Sequence, residues 1–212
     1  MYINVGTLFP IYEDTLPLTA AALHDGGKLG SSIPVAIGMG KMRTDLLLKC
    51  KPYKPSIIRG NASEIIALAG LWGLEGGSDT SDVRGVDSTD SVRSAAPAAV
   101  AVARWTDGVV AISGEEDLIT DGRQLVFSQG GSEMMPCITG TGCSLGGVMT
   151  VYAAVADPFI AAITGSAVYN LAGTRAAAHA KGTGSFQTDF IDELYVATPD
   201  AIAQNPLTVE EA

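Results

Sequence analysis

The first half of the chain alternates short apolar runs with longer stretches of helical character. The apolar runs predict buried strands at residues 2–8, 33–38, 55–60 and 108–114. An Ala- and Leu-rich stretch after the first strand predicts a helix that stops at Gly26 and Gly27, and residues 41–50 predict a second helix. Strands that alternate with helices are typical of an α/β fold with a largely parallel sheet flanked by helices.

The second half of the chain predicts a hairpin followed by a helical C-terminal third. Residues 116–128 contain two strand-like runs around the turn pair Asp121–Gly122. After them we expect helices from about Cys143 to Ala156, from about Pro158 to Lys181 and from about Ser185 onward. The most apolar stretch, residues 158–174, is shorter than a spanning helix and carries Thr164, Ser166 and Asn170, so a buried core helix is favoured. Without repeats or a linker, residues 1–212 are expected to form one domain.

Helix-start signals surround a long polar loop in the middle of the chain. Asn61 is a good N-cap, and Glu64 follows it at the spacing of a capping box. Residues 73–90 are rich in Gly and Asp, and Ser88 or Thr89 at their end can cap the next helix. Within that helix, Pro97 must lie near the start or cause a kink.

Composition and charge narrow the class of protein. Hydrophobic residues make up 47% of the chain and charged residues 17%, which excludes a disordered chain. A net charge of −10 makes nucleic acid and anionic membranes unlikely partners, so an anionic substrate must be held locally by a helix N-terminus, an arginine or a metal ion. The chain has 3 cysteines and 2 histidines, with neither a disulfide framework nor a zinc signature. The first residues do not resemble a signal peptide, and a cytoplasmic location is expected.

The segment CITGTGCSLGG, residues 137–147, is the strongest candidate for chemistry. Backbone N–H groups of Thr139, Gly140, Thr141 and Gly142 can converge on an oxyanion, and a following helix adds its dipole. Cys143 falls in the first turn of that helix, where thiols are generally more acidic and can accept a proton. The alternative interpretation is a glycine-rich turn with an inert, packed cysteine.

Two strand exits add further candidates. Arg59 ends a predicted strand, where it can pair with a phosphate, and Glu64 can hold a magnesium ion through water. Ser113 and the amide of Gly114 follow the fourth strand and can contact a nucleotide. The alternatives are a surface charge for Arg59, a capping acid for Glu64 and the start of a hairpin for residues 112–117. Asp87 and Asp90 are expected only to cap helices and contact water.

These segments together resemble one known family. YINVGTL, IRGNASEI, GVDS, SGEEDLITDG, ITGTGC and GTGSFQTDFIDELY are similar, in this order, to motifs of the hydroxyethylthiazole kinases, and the resemblance extends from about Tyr2 to Tyr195. It implies the layered ribokinase-like fold. It also implies transfer of the γ-phosphoryl group of ATP, with Mg²⁺, to the primary hydroxyl of 5-(2-hydroxyethyl)-4-methylthiazole.

The resemblance implies a role for each candidate residue. Cys143 occupies the position of the catalytic base, where most ribokinase-like enzymes have aspartate. Gly140 and Gly142 belong to the anion hole, and Gly140 also approaches the thiazole. Arg59 and Ser113 match ATP-contacting positions, while Glu64 matches the metal-associated acid. The resemblance further implies a homotrimer with thiazole sites at the subunit interfaces.

The sequence departs from the family pattern at two places. An N-terminal segment of the family, including a methionine that contacts the thiazole, has no match here. PVAIGMGK stands where the family has a DPVGVGA-like stretch, and the aspartate of that stretch has no counterpart. We therefore expect the nucleotide half of the site to be kept better than the substrate half. Two alternatives stay open: a non-catalytic nucleotide-binding homologue, and a ribokinase-like kinase for another small alcohol.

Overall fold

The computed structural model describes residues 1–34, 36–37, 40–78 and 91–212, and within these residues seven strands form one sheet. The strands are β1 Tyr2–Asn4, β2 Ser31–Ile33, β3 Ile57–Asn61, β4 Val109–Ser113, β5 Asp117–Thr120, β6 Gln124–Ser128 and β7 Leu207–Glu211. The helices are α1 Tyr12–Asp25, α2 Lys41–Cys50, α3 Ala62–Trp72, α4 Ala96–Thr106, α5 Thr141–Tyr152, α6 Pro158–Ala177, α7 Thr183–Val196 and α8 Pro199–Ala203.

The sheet runs in chain order and changes from parallel to antiparallel at β4. Strands β1 to β4 pair in parallel, and β4 to β7 pair in antiparallel fashion. The predicted α/β class is confirmed, although the sheet is mixed rather than largely parallel. The difference arises because the predicted hairpin, β5–β6, and the additional strand β7 extend the sheet in antiparallel pairing.

Helices cover both faces of the sheet. Alternate strand residues point to opposite faces, and Ile58, Val110 and Ile112 pack in one core with α3 and α4. Ile57 and Val109 pack in a second core with α5, α6 and α7. The two cores make a layered structure in which the carboxyl ends of β3 and β4 lie on the same edge.

Most predicted local features are confirmed. Asn61 Oδ1 accepts from the N–H of Glu64, and the Glu64 carboxylate accepts from the N–H of Asn61, so the capping box is complete. Asp121 holds the hairpin turn by accepting from two backbone N–H groups. The apolar stretch at residues 158–174 lies in α6, whose inner face is buried, and no helix in the described part of the chain is long and apolar enough to span a bilayer.

Two predicted elements are wrong. The second strand is Ser31–Ile33 instead of residues 33–38. Pro34 follows it directly, and proline cannot donate to a sheet ladder. The polar Ser31 is buried because its hydroxyl pairs with that of Thr150 in α5. The C-terminal third also does not end as helix, since β7 pairs with β6 along the sheet edge.

Part of the polar loop lies outside the described residues. The GVDS segment, Asp87, Asp90 and the candidate caps Ser88 and Thr89 all fall within residues 79–90, which are not described. The helix that follows is α4, which begins at Ala96 with Pro97 in its first turn. The prediction that Pro97 lies near the start of this helix is confirmed.

Candidate active site

Arg59 lies at the centre of the predicted site. It sits near the carboxyl end of β3, opposite Ala111 of β4, on the face of the sheet that α5 covers. Its guanidinium packs against Gly142: a Cβ on Gly142 would lie 2.6 Å from Arg59 Nη1 and 3.3 Å from Cζ. Only glycine leaves room for this approach, so the strand end and the glycine loop form one unit.

The glycine loop presents the open N-terminus of α5. Gly140 is the N-cap residue with φ of 93°, a left-handed conformation that favours glycine. Thr141 anchors the loop by donating its hydroxyl to the carbonyls of Met135 and Ile138. No side chain caps the helix, and the N–H groups of Thr141–Cys143 precede Ser144, whose N–H makes the first intrahelical hydrogen bond, to the Gly140 carbonyl. Thr139 and Gly140 are exposed, and Gly142 of the same turn lies beside the Arg59 guanidinium.

Cys143 is a free, half-buried thiol in the first turn of α5. Its carbonyl accepts a 2.6 Å hydrogen bond from the hydroxyl of Tyr2 in β1. Burial raises the pKa of Tyr2, so the phenol stays protonated and remains a donor. Asn4 Nδ2 donates to the same phenol oxygen over 3.3 Å. The first strand therefore fixes the turn that carries the candidate base.

Glu64 is buried at the start of α3, on the turn that leaves β3. One carboxylate oxygen accepts from Ala36 N–H and the other from Asn61 N–H, each over 2.9 Å. Burial raises the pKa of Glu64, and Arg59 and Arg43 act in the opposite direction. The carboxylate thus performs the capping role that the alternative interpretation assigned to it, and it lies within the electrostatic reach of Arg59.

The donor set around Glu64 suits a magnesium ion only in combination with other oxygens. Among the residues that the structure describes, no three His, Cys, Asp or Glu side chains are grouped closely enough to hold a metal. Mg²⁺ usually keeps several waters and is held by one or two carboxylates together with substrate phosphates. Glu64 supplies a single carboxylate of this kind at the carboxyl end of β3, which fits that mode of binding.

Ser113 and Gly114 lie where β4 ends, next to the β3 end that carries Arg59. Ser113 is opposite Asn61 in the parallel pairing. The N–H of Gly114 donates to Asp117 Oδ1 over 3.3 Å. A side chain on Gly114 would overlap Val92. The turn is therefore close-packed, and an internal carboxylate already engages its amide.

Asp117, Tyr2 and Tyr169 lie within the electrostatic reach of Arg59, and none of the three was predicted from the sequence as a site residue. Asp117 is buried, and burial raises its pKa to about 6 while Arg59 acts in the opposite direction. Tyr169 of α6 is also buried, and burial raises its pKa. Its side chain forms a hydrogen bond with Ser144 in α5. The positive charge of Arg59 acts against burial by lowering the pKa of both Tyr2 and Tyr169. The available signal for Asp117 was an acid at the first position of the strand, directly before Leu118 and Ile119. For Tyr2 and Tyr169 there was none.

The apolar cavity of the fold lies away from these groups. A cavity of about 240 Å³ lies between α1, α2, α3 and the first three strands, and Ile58, Leu68 and Trp72 are among its lining residues. Ile58 points to the face opposite the one that Arg59 occupies. The cavity therefore does not contain the glycine loop or Cys143.

Known proteins with the same organisation identify the family. A sequence model of the Hydroxyethylthiazole kinase family matches residues 1–200. The hydroxyethylthiazole kinase of Bifidobacterium longum (strain DJO10A) is 45% identical over 227 aligned positions, which cover 99% of this chain and 72% of that protein. That of Leptospira interrogans (serogroup Icterohaemorrhagiae serovar copenhageni, strain Fiocruz L1-130) is 43% identical over 195 positions, which cover 92% of this chain and 71% of that protein.

Structural comparison agrees with the sequence match. The solved structure of the hydroxyethylthiazole kinase protein from Pyrococcus horikoshii OT3 matches with a TM-score of 0.84 and 26% sequence identity, over 100% of this chain and 76% of that chain. With its layered sheet, its glycine loop and these relatives, the chain belongs to the hydroxyethylthiazole kinase family and has its ribokinase-like fold.

Proposed function

We propose that this protein transfers the γ-phosphoryl group of ATP to the primary hydroxyl of 5-(2-hydroxyethyl)-4-methylthiazole. Family membership supports the reaction and its substrate. The observation that carries the proposal is the contact between the Arg59 guanidinium and Gly142 at the open N-terminus of α5. A fixed cation and unpaired backbone donors meet there, as a transferring phosphoryl group requires.

The glycine loop would hold the phosphoryl charge during transfer. Phosphoryl transfer passes through a loose transition state whose charge is spread over the equatorial oxygens. The N–H groups of Thr139–Gly142 and the helix dipole stabilise that charge without reorganisation, because the loop is already fixed by Thr141. Arg59 adds a permanent positive charge next to the same loop. Gly140, which has open space around its α-carbon, leaves room for the thiazole.

Cys143 would accept the proton of the substrate hydroxyl. In a loose transition state the nucleophile has formed little of its new bond, so a strong base is not needed and a cysteine thiolate, which becomes a thiol on taking the proton, is adequate. The larger part of the rate enhancement then comes from orientation and charge stabilisation. The Tyr2 hydrogen bond to the Cys143 carbonyl supports orientation because it fixes the backbone of the base.

The nucleotide would lie along the ends of β3 and β4. Ser113 offers a hydroxyl at the end of β4, next to the strand that carries Arg59. Mg²⁺, when bound, would neutralise phosphate charge, with Glu64 as its carboxylate ligand through water. A homotrimer, which rests on the family resemblance, and the cytoplasmic location expected from the sequence complete the proposal.

Steady-state kinetics test the proposal. Purified protein is mixed with ATP, Mg²⁺ and the thiazole alcohol, and ADP release is followed by a coupled assay. We expect thiazole-dependent release, and we expect Cys143→Ala to lower kcat by roughly 10²-fold, the lower range for loss of a general base. Calorimetric ATP affinity should be the same in both proteins, because Cys143 does not contact the nucleotide.

The same assay separates the alternatives. ATP binding without ADP release, in well-folded wild-type protein, would identify a non-catalytic homologue. Faster turnover with a pyrimidine methanol than with the thiazole in direct competition would identify a kinase for another small alcohol. Either result refutes the proposed function.

A further inference from the structure

Asp117 is a buried carboxyl group that joins two parts of the candidate site. Its side chain is 6% exposed, and Oδ1 accepts from the N–H of Gly114 in the turn after β4. Oδ2 accepts from Asn170 Nδ2 of α6 over 3.3 Å, and Ser166 also donates to the carboxyl. The group therefore connects the turn beside Ser113 to the helix layer that covers Arg59.

A second layer of hydrogen bonds supports Asn170. Its Nδ2 also donates to Ser128 Oγ over 3.0 Å, and Ser128 is the residue opposite Asp117 in the β5–β6 pair. Asn205 Nδ2, from the segment before β7, donates to the same Ser128 oxygen over 3.1 Å. These hydrogen bonds hold Asn170 in place, and Asn170 in turn holds the carboxyl. The position of the carboxyl is therefore determined by the turn after β4, by α6 and by β6.

Hydrogen bonding alone does not explain why the buried group is a carboxyl. An asparagine could accept from Gly114 and, once the Asn170 amide is turned over, donate to Asn170 Oδ1 without the cost of burying a charge. Among the described residues, Arg59 is the charged group that lowers the pKa of Asp117. The two side chains of α6 that bind Asp117, those of Ser166 and Asn170, are uncharged. The register places Asp117 on the same face of the sheet as Arg59, because Arg59 lies opposite Ala111, Ala111 opposite Ile119, and Asp117 two residues before Ile119.

We propose that Asp117 is a positioning residue for ATP, which holds the Gly114 turn beside Ser113 in place and adds a negative charge on the face of the sheet that carries Arg59. The inference rests on the proposed function for the identity of the reaction, but it concerns the nucleotide half of the site alone. Asp117 acts through the Gly114 turn and does not touch the substrate. A charge retained in the interior at a cost to stability is consistent with this role.

Asp117→Asn tests the role with a near-isosteric change. We expect the KM for ATP to rise about tenfold and kcat to fall, because a charge-assisted contact is lost while the shape is kept. The melting temperature should stay within a few degrees of wild type or rise. The matched control is Asp192→Asn, the same chemical change at an exposed position of α7 outside this hydrogen-bond network; its KM for ATP should change less than about twofold.

The pH dependence of kcat/KM for ATP is a second measurement, and a purely structural role of Asp117 would leave it unchanged. In wild type, kcat/KM for ATP should fall as pH decreases through about 6, where Asp117 gains a proton. In Asp117→Asn this decrease should be absent, because the variant has no group to titrate at that position. Wild-type kinetics for ATP in the variant, with the same acid limb, would overturn the inference.

Calorimetric binding of a non-hydrolysable ATP analogue separates this inference from the proposed function. Weaker binding to Asp117→Asn than to wild type supports the positioning role even where the thiazole is not phosphorylated. Equal binding to both proteins refutes the positioning role even where the thiazole is phosphorylated.

Discussion

The guanidinium of Arg59 and the α-carbon of Gly142 lie so close that a Cβ on Gly142 would come within 2.6 Å of Nη1. Arg59 lies in the middle of β3 and Gly142 in the first turn of α5, and the two segments are far apart in the sequence. Their contact brings a permanent cation to the open end of a helix dipole. Charge stabilisation at this site therefore depends on the absence of a side chain at position 142.

Gly142→Ala should reduce activity with little effect on stability. Alanine favours helices over glycine by about 1 kcal/mol, which offsets the local displacement. The new methyl group must displace the Arg59 guanidinium, so we expect kcat/KM for ATP to fall at least about tenfold. Steady-state kinetics and a thermal melt measure the two effects.

The matched control for this substitution is Gly184→Ala in α7. No atom lies within 4 Å of the position a Cβ would take at Gly184. We expect wild-type kinetics and an equal or slightly higher melting temperature. Unchanged kinetics in Gly142→Ala would show that catalysis does not depend on the observed position of the Arg59 guanidinium.

Tyr2→Phe should loosen the turn that carries Cys143. The variant keeps the ring and loses the 2.6 Å hydrogen bond to the Cys143 carbonyl. We expect the free energy of unfolding to fall by about 0.5–1.5 kcal/mol and kcat to fall several-fold with little change in the KM for ATP. Tyr195→Phe, at a tyrosine that is 90% exposed, is the control and should match wild type. An unaltered kcat in Tyr2→Phe would show that β1 does not position the base.

Asn61→Ala should destabilise the turn between β3 and α3. The substitution removes the acceptor for Glu64 N–H, and loss of an N-cap costs about 1 kcal/mol. Asn61→Asp, which keeps an acceptor at the same place, should lose less. Chemical denaturation measures both variants. Equal losses in the two would mean that the capping hydrogen bond contributes nothing.

Asp117 should make stability depend on pH between about 4 and 6. Its pKa is about 6 in the folded protein against an ordinary value of 3.8, so the folded state binds more protons than the unfolded chain within this range. The free energy of unfolding that depends on Asp117 therefore falls as pH rises through the range and is constant above it.

Melting temperatures of wild type and Asp117→Asn across pH 4 to 7.5 test this dependence. The variant minus wild-type difference should increase up to about pH 6 and then level off. A difference that is constant or decreases over the range would contradict the buried, proton-binding carboxyl.

The sequence was sufficient for the elements whose signals are local. Asn61 with Glu64 predicted a capping box, and Asp121–Gly122 predicted the hairpin; both depend on residues a few positions apart. The exposed strand β7 was missed because its pairing with β6 gives no buried, alternating pattern. The strand at Ser31 was displaced in the prediction because a distant partner, Thr150, makes a serine acceptable in the interior.

In the candidate site, too, features with local sequence signals were predicted and features that depend on distant residues were not. Each predicted residue stood out within its own motif, but the Arg59–Gly142 contact depends on long-range packing that no local pattern encodes. Asp117 carried a weak signal as the last of three acids directly before an apolar pair, and its partner Asn170 was conspicuous as a polar residue in an apolar helix. Only the folded structure shows that these two buried polar side chains are hydrogen-bonded to each other.

The identity of the phosphorylated product tests the central claim most directly. Wild-type protein, ATP, Mg²⁺ and the thiazole alcohol are combined, and ³¹P NMR follows the reaction, with Gly142→Ala in parallel. The account predicts a phosphate monoester of the thiazole alcohol that accumulates in equal amount with ADP, and much slower formation by the variant. Folded wild-type protein that yields no thiazole monoester, or a variant that forms it at the wild-type rate, would contradict the account.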